Sequence, residues 1–203
     1  MKAKNLHTLI PLENFKAILG IDDRDDNLSR FCLTTATYTI EQFCIRRLLR
    51  KRHFELIEYH EDLFLPLREY PVNEVLAVYA IGNGEWGIGS GKIIEPEFYH
   101  VIPDCGTDED MPYTLIISPA LKRVRCLEAM KIVYTAGYST GKAPPDLASA
   151  CMELAAWNMS RYKGRRIGIT GNIRGHGKDG EHFEMSMPEN VRKLLEPYKR
   201  KII

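Results

Sequence analysis

The stretch Met130–Trp157, MKIVYTAGYSTGKAPPDLASACMELAAW, leaves the backbone little choice. Lys131–Thr135 is a short β-branched and aromatic run, the composition of a strand. Gly137 and Gly141 bracket a turn, because glycine accepts backbone angles that other residues resist. Pro144 and Pro145 hold the next step extended, and Pro145 suits a helix start. Asp146 then serves as an N-terminal cap or as a first-turn acid facing the positive helix end. A helix runs on toward Tyr162, with Leu147, Ala148, Cys151, Leu154, Ala155 and Met159 on its apolar face. Trp157 serves either core or interface, since tryptophan is enriched at both. Strand, turn and helix thus follow one another without slack, and no catalytic group lies among them.

Upstream of this joint the texture is that of strands. Phe54, Leu56, Ile57 and Tyr59 form one run, residues 63–67 (LFLPL) another, and Val72–Ile81 a third. Pro66 limits the second to a sheet edge or a strand end. Further strands are expected at Phe98–Ile102 and Tyr113–Ser118. The glycine-rich residues 82–91 between them read as a hairpin tip. Gly82, Gly84 and Gly87 spell GxGxxG, but a strand follows where a dinucleotide fold needs a helix, and neither GSGK nor STGK has the P-loop spacing.

Helices flank this region. Residues 11–19 carry Leu12, Phe15, Ile18 and Leu19 at helical spacing, and Gly20 ends the pattern. A second helix is expected from Asp26 to Leu49, with Leu28, Phe31, Cys32, Thr35, Ile40, Phe43 and Cys44 on one face. The acids of IDDRDDN lack the glycine and distal Glu of an EF-hand loop and read as a cap through Asp25 or Asp26. The basic burst CIRRLLRKRH suits the negative end of that helix, with phosphate contact as the other reading. A last helix starts at Pro188, carries Val191, Leu194, Leu195 and Tyr198, and is broken by Pro197.

The chain is therefore expected to be mainly α with a β insertion (α+β), a bundle of four helices with an antiparallel β region between the second and third. Residues 1–51 supply the N-terminal helices of the core, 52–136 the β insertion, and 137–203 the C-terminal helices with a glycine-rich arm at 164–187. The 203 residues, 44% apolar and 27% charged, suffice for such a core. A net charge of +1 leaves any anion-binding surface to be local. Five cysteines with no CxxC pair argue against zinc and against a disulfide framework, so Cys32, Cys44 and Cys151 are expected to be buried thiols in a reducing compartment. Residues 1–15 lack the apolar run expected of a signal peptide, and no apolar run approaches a membrane span.

No Ser/His/Asp or Cys/His arrangement, HExxH or GxSxG is legible, so no catalytic, cofactor or metal residue is assigned. His176 and His182 lack a third ligand, and the acids at 104–110 read as a solvated loop tip. The arm is the more informative segment. Arg161, Lys163, Arg165, Arg166, Arg174 and Lys178 make it basic, and Gly175 and Gly177 deny it a helical period. It suits a segment that orders on a neighbouring subunit, or one that touches nucleic acid.

The pattern IVYTAGY…P.DL..A…LAAW, followed by MPENVRKLLEPYKRK, resembles the head–tail connector (adaptor) proteins of tailed phages and prophages. The resemblance runs through most of the chain, from the LGI turn at Leu19–Ile21 and the Arg46–Arg47 pair to LFLPLREYPVNEVLAVYAIG and the closing helix. Its motif residues are Tyr134, Gly137, Tyr138, Pro145, Leu147, Trp157, Pro188, Leu195, Pro197 and Tyr198. The long loop before Pro188 and the acidic insertion near Asp104 depart from the minimal pattern. The resemblance implies a non-enzymatic virion protein at the head–tail junction, made in the bacterial host cytoplasm. It implies a ring of copies in the virion, typically twelvefold, with a monomer as the alternative state of the free protein. The ring lies between the portal protein and a tail or stopper protein, with DNA passing through the channel. Arg165, Arg166, Arg174, Gly175, Gly177 and Lys178 of the arm, with Trp86 at the hairpin tip, are then the expected interface. The rival reading is a nucleic-acid-binding module using the basic arm 161–178, and a small hydrolase is a remoter third.

Overall fold

The computed structural model describes residues 7–58, 64–81, 92–103, 113–117, 129–164 and 187–200. These form four α-helices and two antiparallel sheets, an α+β fold, divided into two compact units. The first comprises residues 1–45 and 139–203, the second Arg46–Tyr138. The chain leaves the first unit once and returns to it once, so the first is built from two distant segments and the second from one.

The first unit is helical. Helix α1 spans Leu12–Leu19 and buries Leu12 and Phe15; it ends at Gly20, whose φ of 63° is the left-handed conformation expected of a helix-terminating glycine. Ile18 and Leu19, expected on its apolar face, are exposed instead. Helix α2 spans Asp26–Cys44 and buries Cys32, Leu33, Ala36, Thr37, Ile40 and Cys44. The seven-residue face expected from spacing was rotated: Phe31 is exposed, Leu28, Thr35 and Phe43 are half-buried, and Leu33 and Ala36 take the interior. Helix α3 spans Pro145–Lys163, follows an N-cap at Pro144, and buries Leu147, Ala150, Cys151, Leu154, Ala155 and Met159. Helix α4 spans Glu189–Leu195; Pro188 is its N-cap, one position earlier than expected, and Pro197 lies in the 3-10 turn that follows.

The acidic run before α2 does a different job from the one expected. Asp25 occupies the N-cap position without capping through its side chain, while Asp22 accepts the Arg24 N–H and so caps a preceding 3-10 turn. Lys16 of α1 pairs with Asp23 and Asp26, and Lys163 of α3 with Asp25. Those carboxylates hold the Lys16 ammonium above its ordinary pKa, and Lys16 holds Asp23 below its own. The pairs are exposed or part-exposed, so each adds little on its own.

The second unit is a two-sheet structure. Strands β1 (Lys51–Glu58), β3 (Val72–Ile81), β4 (Lys92–Ile94) and β7 (Ala129–Ala136) form one sheet in the order β1-β7-β3-β4. Strands β2 (Phe64–Leu67), β5 (Tyr99–Pro103) and β6 (Tyr113–Ile117) form the other, in the order β2-β6-β5. Pro66 lies within β2, which is an edge strand, where a missing N–H is tolerated. Val78, Ala80, Ile94, Met130, Ile132, Tyr134 and Ala136 of the larger sheet share a core with Leu65, Leu67 and Leu115 of the smaller.

Candidate functional site: the glycine joint and the exposed surfaces

The joint singled out in the sequence is built as backbone against backbone. Gly137 has φ 103° and donates its N–H to Pro71 O at 2.9 Å. A Cβ at this position would lie 2.7 Å from Leu48 O and from the Leu49 carbonyl carbon, so only glycine fits. Tyr138 N–H donates to Leu48 O at 2.7 Å, and Tyr138 O accepts Arg50 N–H at 2.8 Å. The segment 48–50 is thus laced to residues 137–138. Gly141, at φ 77°, lies in the first unit, where its N–H donates to Leu9 O at 2.9 Å.

Tyr134 is fully buried beside this joint. Its hydroxyl donates to Glu55 Oε1 and accepts Glu69 N–H at 3.1 Å, while Glu55 Oε1 also accepts Arg68 N–H at 2.9 Å. Burial, then the hydrogen bond and charge of Glu55, push the phenol well above its ordinary pKa, so it remains a neutral hydrogen-bonding group.

The basic burst does not stand at the end of α2, where it was expected. Helix α2 stops at Cys44, and Ile45 takes a left-handed φ of 56°, so Arg46 and Arg47 lie beyond the helix and no basic residue stands in its last turn. Arg46 is buried with its guanidinium 3.7 Å over the Tyr70 ring. Arg47 N–H donates to Glu69 Oε2 at 2.9 Å. The helix end is closed instead by the returning chain, where Arg200 N–H donates to Cys44 O at 2.8 Å.

The remaining motif residues lie in the first unit. Leu147 and Leu195 are fully buried, and Tyr198 O–H donates to Asp146 Oδ1 at 2.5 Å, tying the last 3-10 turn to the start of α3. Asp146 is therefore a first-turn acid with a tertiary partner. Pro145 and Pro197 are exposed. Trp157 is half-buried with the Arg161 guanidinium 4.6 Å over its ring. Cys32, Cys44 and Cys151 are buried thiols, as expected. Burial raises the Cys32 thiol to about 11 and Cys151 to about 12. Trp86, Arg165, Arg166, Arg174, Gly175, Gly177 and Lys178, with the acids at 104–110, Cys105, Cys126, His176 and His182, lie outside the described residues.

Among the described residues no three His, Cys, Asp or Glu side chains converge on a metal position, and no helix is long and apolar enough to cross a membrane. What these residues do present is exposed apolar surface: Ile18, Leu19, Phe31 and Tyr38 on the first unit, and Phe54, Leu56, Leu76, Ile93 and Ile102 on the second. The sequence reading missed the β1 surface. The signal was there in Phe54, Leu56 and Ile57, apolar residues on both faces of one strand.

No protein-family model and no curated protein matches the chain. Solved structures do. The fold is shared with chains of gene transfer agent particles. A chain in the virion of a native gene transfer agent (GTA) particle matches with a TM-score of 0.63 at 19% identity, covering 100% of this chain and 95% of that one. A chain in the neck of an empty GTA particle, computed with C6 symmetry, matches with a TM-score of 0.60 at 20% identity over 100% and 96%. A third, in the neck of a native GTA particle computed with C12 symmetry, matches with a TM-score of 0.57 at 19% identity over 100% and 96%. The likeness extends through both units of the present chain.

Proposed function

We propose that this chain is a structural protein of a phage-type particle neck, a head–tail connector (adaptor) whose copies form a ring between capsid and tail. The observation that carries the reading is the end-to-end agreement of the fold with chains from gene transfer agent necks. Such a match covers the helical unit, the two-sheet unit and the order in which the chain visits them. The sequence resemblance to connector proteins points to the same class independently of the fold.

In this reading the work is mechanical. The helical unit supplies a rigid body, and heterologous contacts between identical copies close into a ring. A portal protein on one side, a tail or stopper protein on the other, and DNA in the channel are the proposed partners. The basic, glycine-rich residues 164–187 and the glycine-rich residues 82–91 are proposed interaction elements, consistent with the glycine content of both. No catalytic step is assigned. Gold-labelled antibody against this chain is expected to mark the head–tail junction of purified particles. Label confined to the capsid shell or the tail tip, or absent from particles, would refute the reading.

A further inference from the structure

The larger sheet of the second unit has two unlike faces. One carries Ile132, Tyr134, Val78 and Ile94 into the core shared with the smaller sheet. The other carries a row across all four strands, Leu56–Lys131–Tyr79–Ile93, set by the pairings Leu56↔Lys131, Lys131↔Tyr79 and Tyr79↔Ile93. Phe54, paired with Val133, lies in the next row. Phe54 is 75% exposed, Leu56 64% and Ile93 55%. The Lys131 ammonium lies 6.0 Å from the ring centroids of both Phe54 and Tyr79. The face is therefore apolar and aromatic around Lys131, with the exposed Glu58 in the row beyond Leu56 on the same side of β1. At one end Arg52 and Glu74 flank Thr135 and offset each other.

The first unit carries a surface of matching chemistry. At the end of α1, Ile18 is 63% and Leu19 42% exposed, and the chain turns at Gly20 into Asp22 and Asp23, both exposed. This tip is a pair of aliphatic side chains followed by the Asp22 carboxylate, with Asp23 already paired to Lys16. An aliphatic pair suits an aromatic row, and a carboxylate suits an ammonium that the row surrounds.

We propose that the open face of the four-stranded sheet receives the α1 tip of a neighbouring copy of this chain, with Ile18 and Leu19 against Phe54, Leu56 and Ile93 and Asp22 toward Lys131. The contact joins two different surfaces, so it is heterologous, the class of contact that generates a ring when its rotation closes. The proposal rests on the ring-forming reading given above and names the surfaces that reading requires.

The test is assembly of the purified full chain, followed by light scattering over a concentration series, with circular dichroism to confirm folding. Phe54→Glu and Lys131→Glu alter exposed residues and are expected to keep the fold while raising the half-assembly concentration about tenfold or more. Asp22→Lys should do the same, and the double variant K131E/D22K should recover assembly, because the new charges meet across copies. Variants that assemble like the unsubstituted chain would overturn this interface and leave the ring reading standing. Single variants that weaken assembly without recovery in the double variant would overturn the α1 tip as the occupant. An unsubstituted chain that stays monomeric at every concentration would overturn this interface, which needs no other protein to form, while the antibody label at the head–tail junction tests the neck reading separately.

Discussion

The helical unit and the two-sheet unit solve the same problem in opposite ways. The helical unit is assembled from two distant chain segments, and its closures are polar and tertiary: Tyr198 to Asp146, Arg200 to Cys44, Gly141 to Leu9. The two-sheet unit is one continuous segment, and its closure at Gly137 is steric, with backbone packed where a Cβ cannot go. Each unit leaves five large apolar side chains exposed among the described residues, but Phe54, Leu56 and Ile93 of the second gather on one face of the larger sheet, whose other face is covered. A unit with a free apolar sheet face is suited to partners; a unit closed by many specific polar contacts is suited to holding a shape.

The sharpest way to break the comparison is at glycine. Gly137→Val is expected to destabilise the two-sheet unit by about 3 kcal/mol or more, since it meets the Leu48 and Leu49 backbone and holds a positive φ. Gly20→Ala meets nothing within 4 Å and pays only for its φ of 63°, about 1 kcal/mol. Denaturant unfolding of the two variants should show that ordering; equal losses would remove the claim that the second unit is closed by close backbone contact.

Next in size, Leu33→Ala in α2 is expected to cost about 2–5 kcal/mol, because its side chain is fully buried and a cavity remains. Phe31→Ala on α2, a similar truncation of an exposed ring, should cost much less, about 1 kcal/mol or below. Thermal melts of the pair test the observed rotation of the α2 face against the face expected from spacing.

The units should also differ in alkali. The buried thiols of Cys32 and Cys151 are raised above 9.0, so the neutral thiol is favoured by folding; their contribution is complete below pH 9 and declines as pH rises beyond it. The Tyr134 phenol is raised above 10.0 by the same logic, so its contribution declines only above pH 10. Tyr134→Phe is expected to cost about 1–2 kcal/mol near neutrality and to flatten the loss above pH 10. Stability measured against pH in both backgrounds checks the sign; a steeper alkaline loss in Tyr134→Phe would contradict it. The smallest effect belongs to Phe54→Ser, within about 0.5 kcal/mol for the isolated chain, since the ring is exposed.

Much of this comparison was legible in the sequence. The strand, glycine turn, double proline and helix of residues 130–157 appear in that order, with the β region upstream and the helices outside it. What escaped was information that spacing does not carry. Three- and four-residue periodicity finds a helical face, but Thr37, which accepts Leu9 N–H at 3.2 Å, is buried through a partner far along the chain. The α2 end was placed five residues late because Leu48 and Leu49 continue the apolar pattern, while the break comes from the left-handed turn at Ile45. The open sheet face is not legible for a different reason: apolar residues on both sides of β1 do not say which side is exposed.

The most direct measurement is negative-stain imaging of the purified chain at high concentration, with its mass fixed by light scattering. Closed rings with a central channel, at a mass that is an integral multiple of the 23.3 kDa chain, are the predicted result. A single monomeric species across the whole concentration range, with no ring in any field, would contradict it.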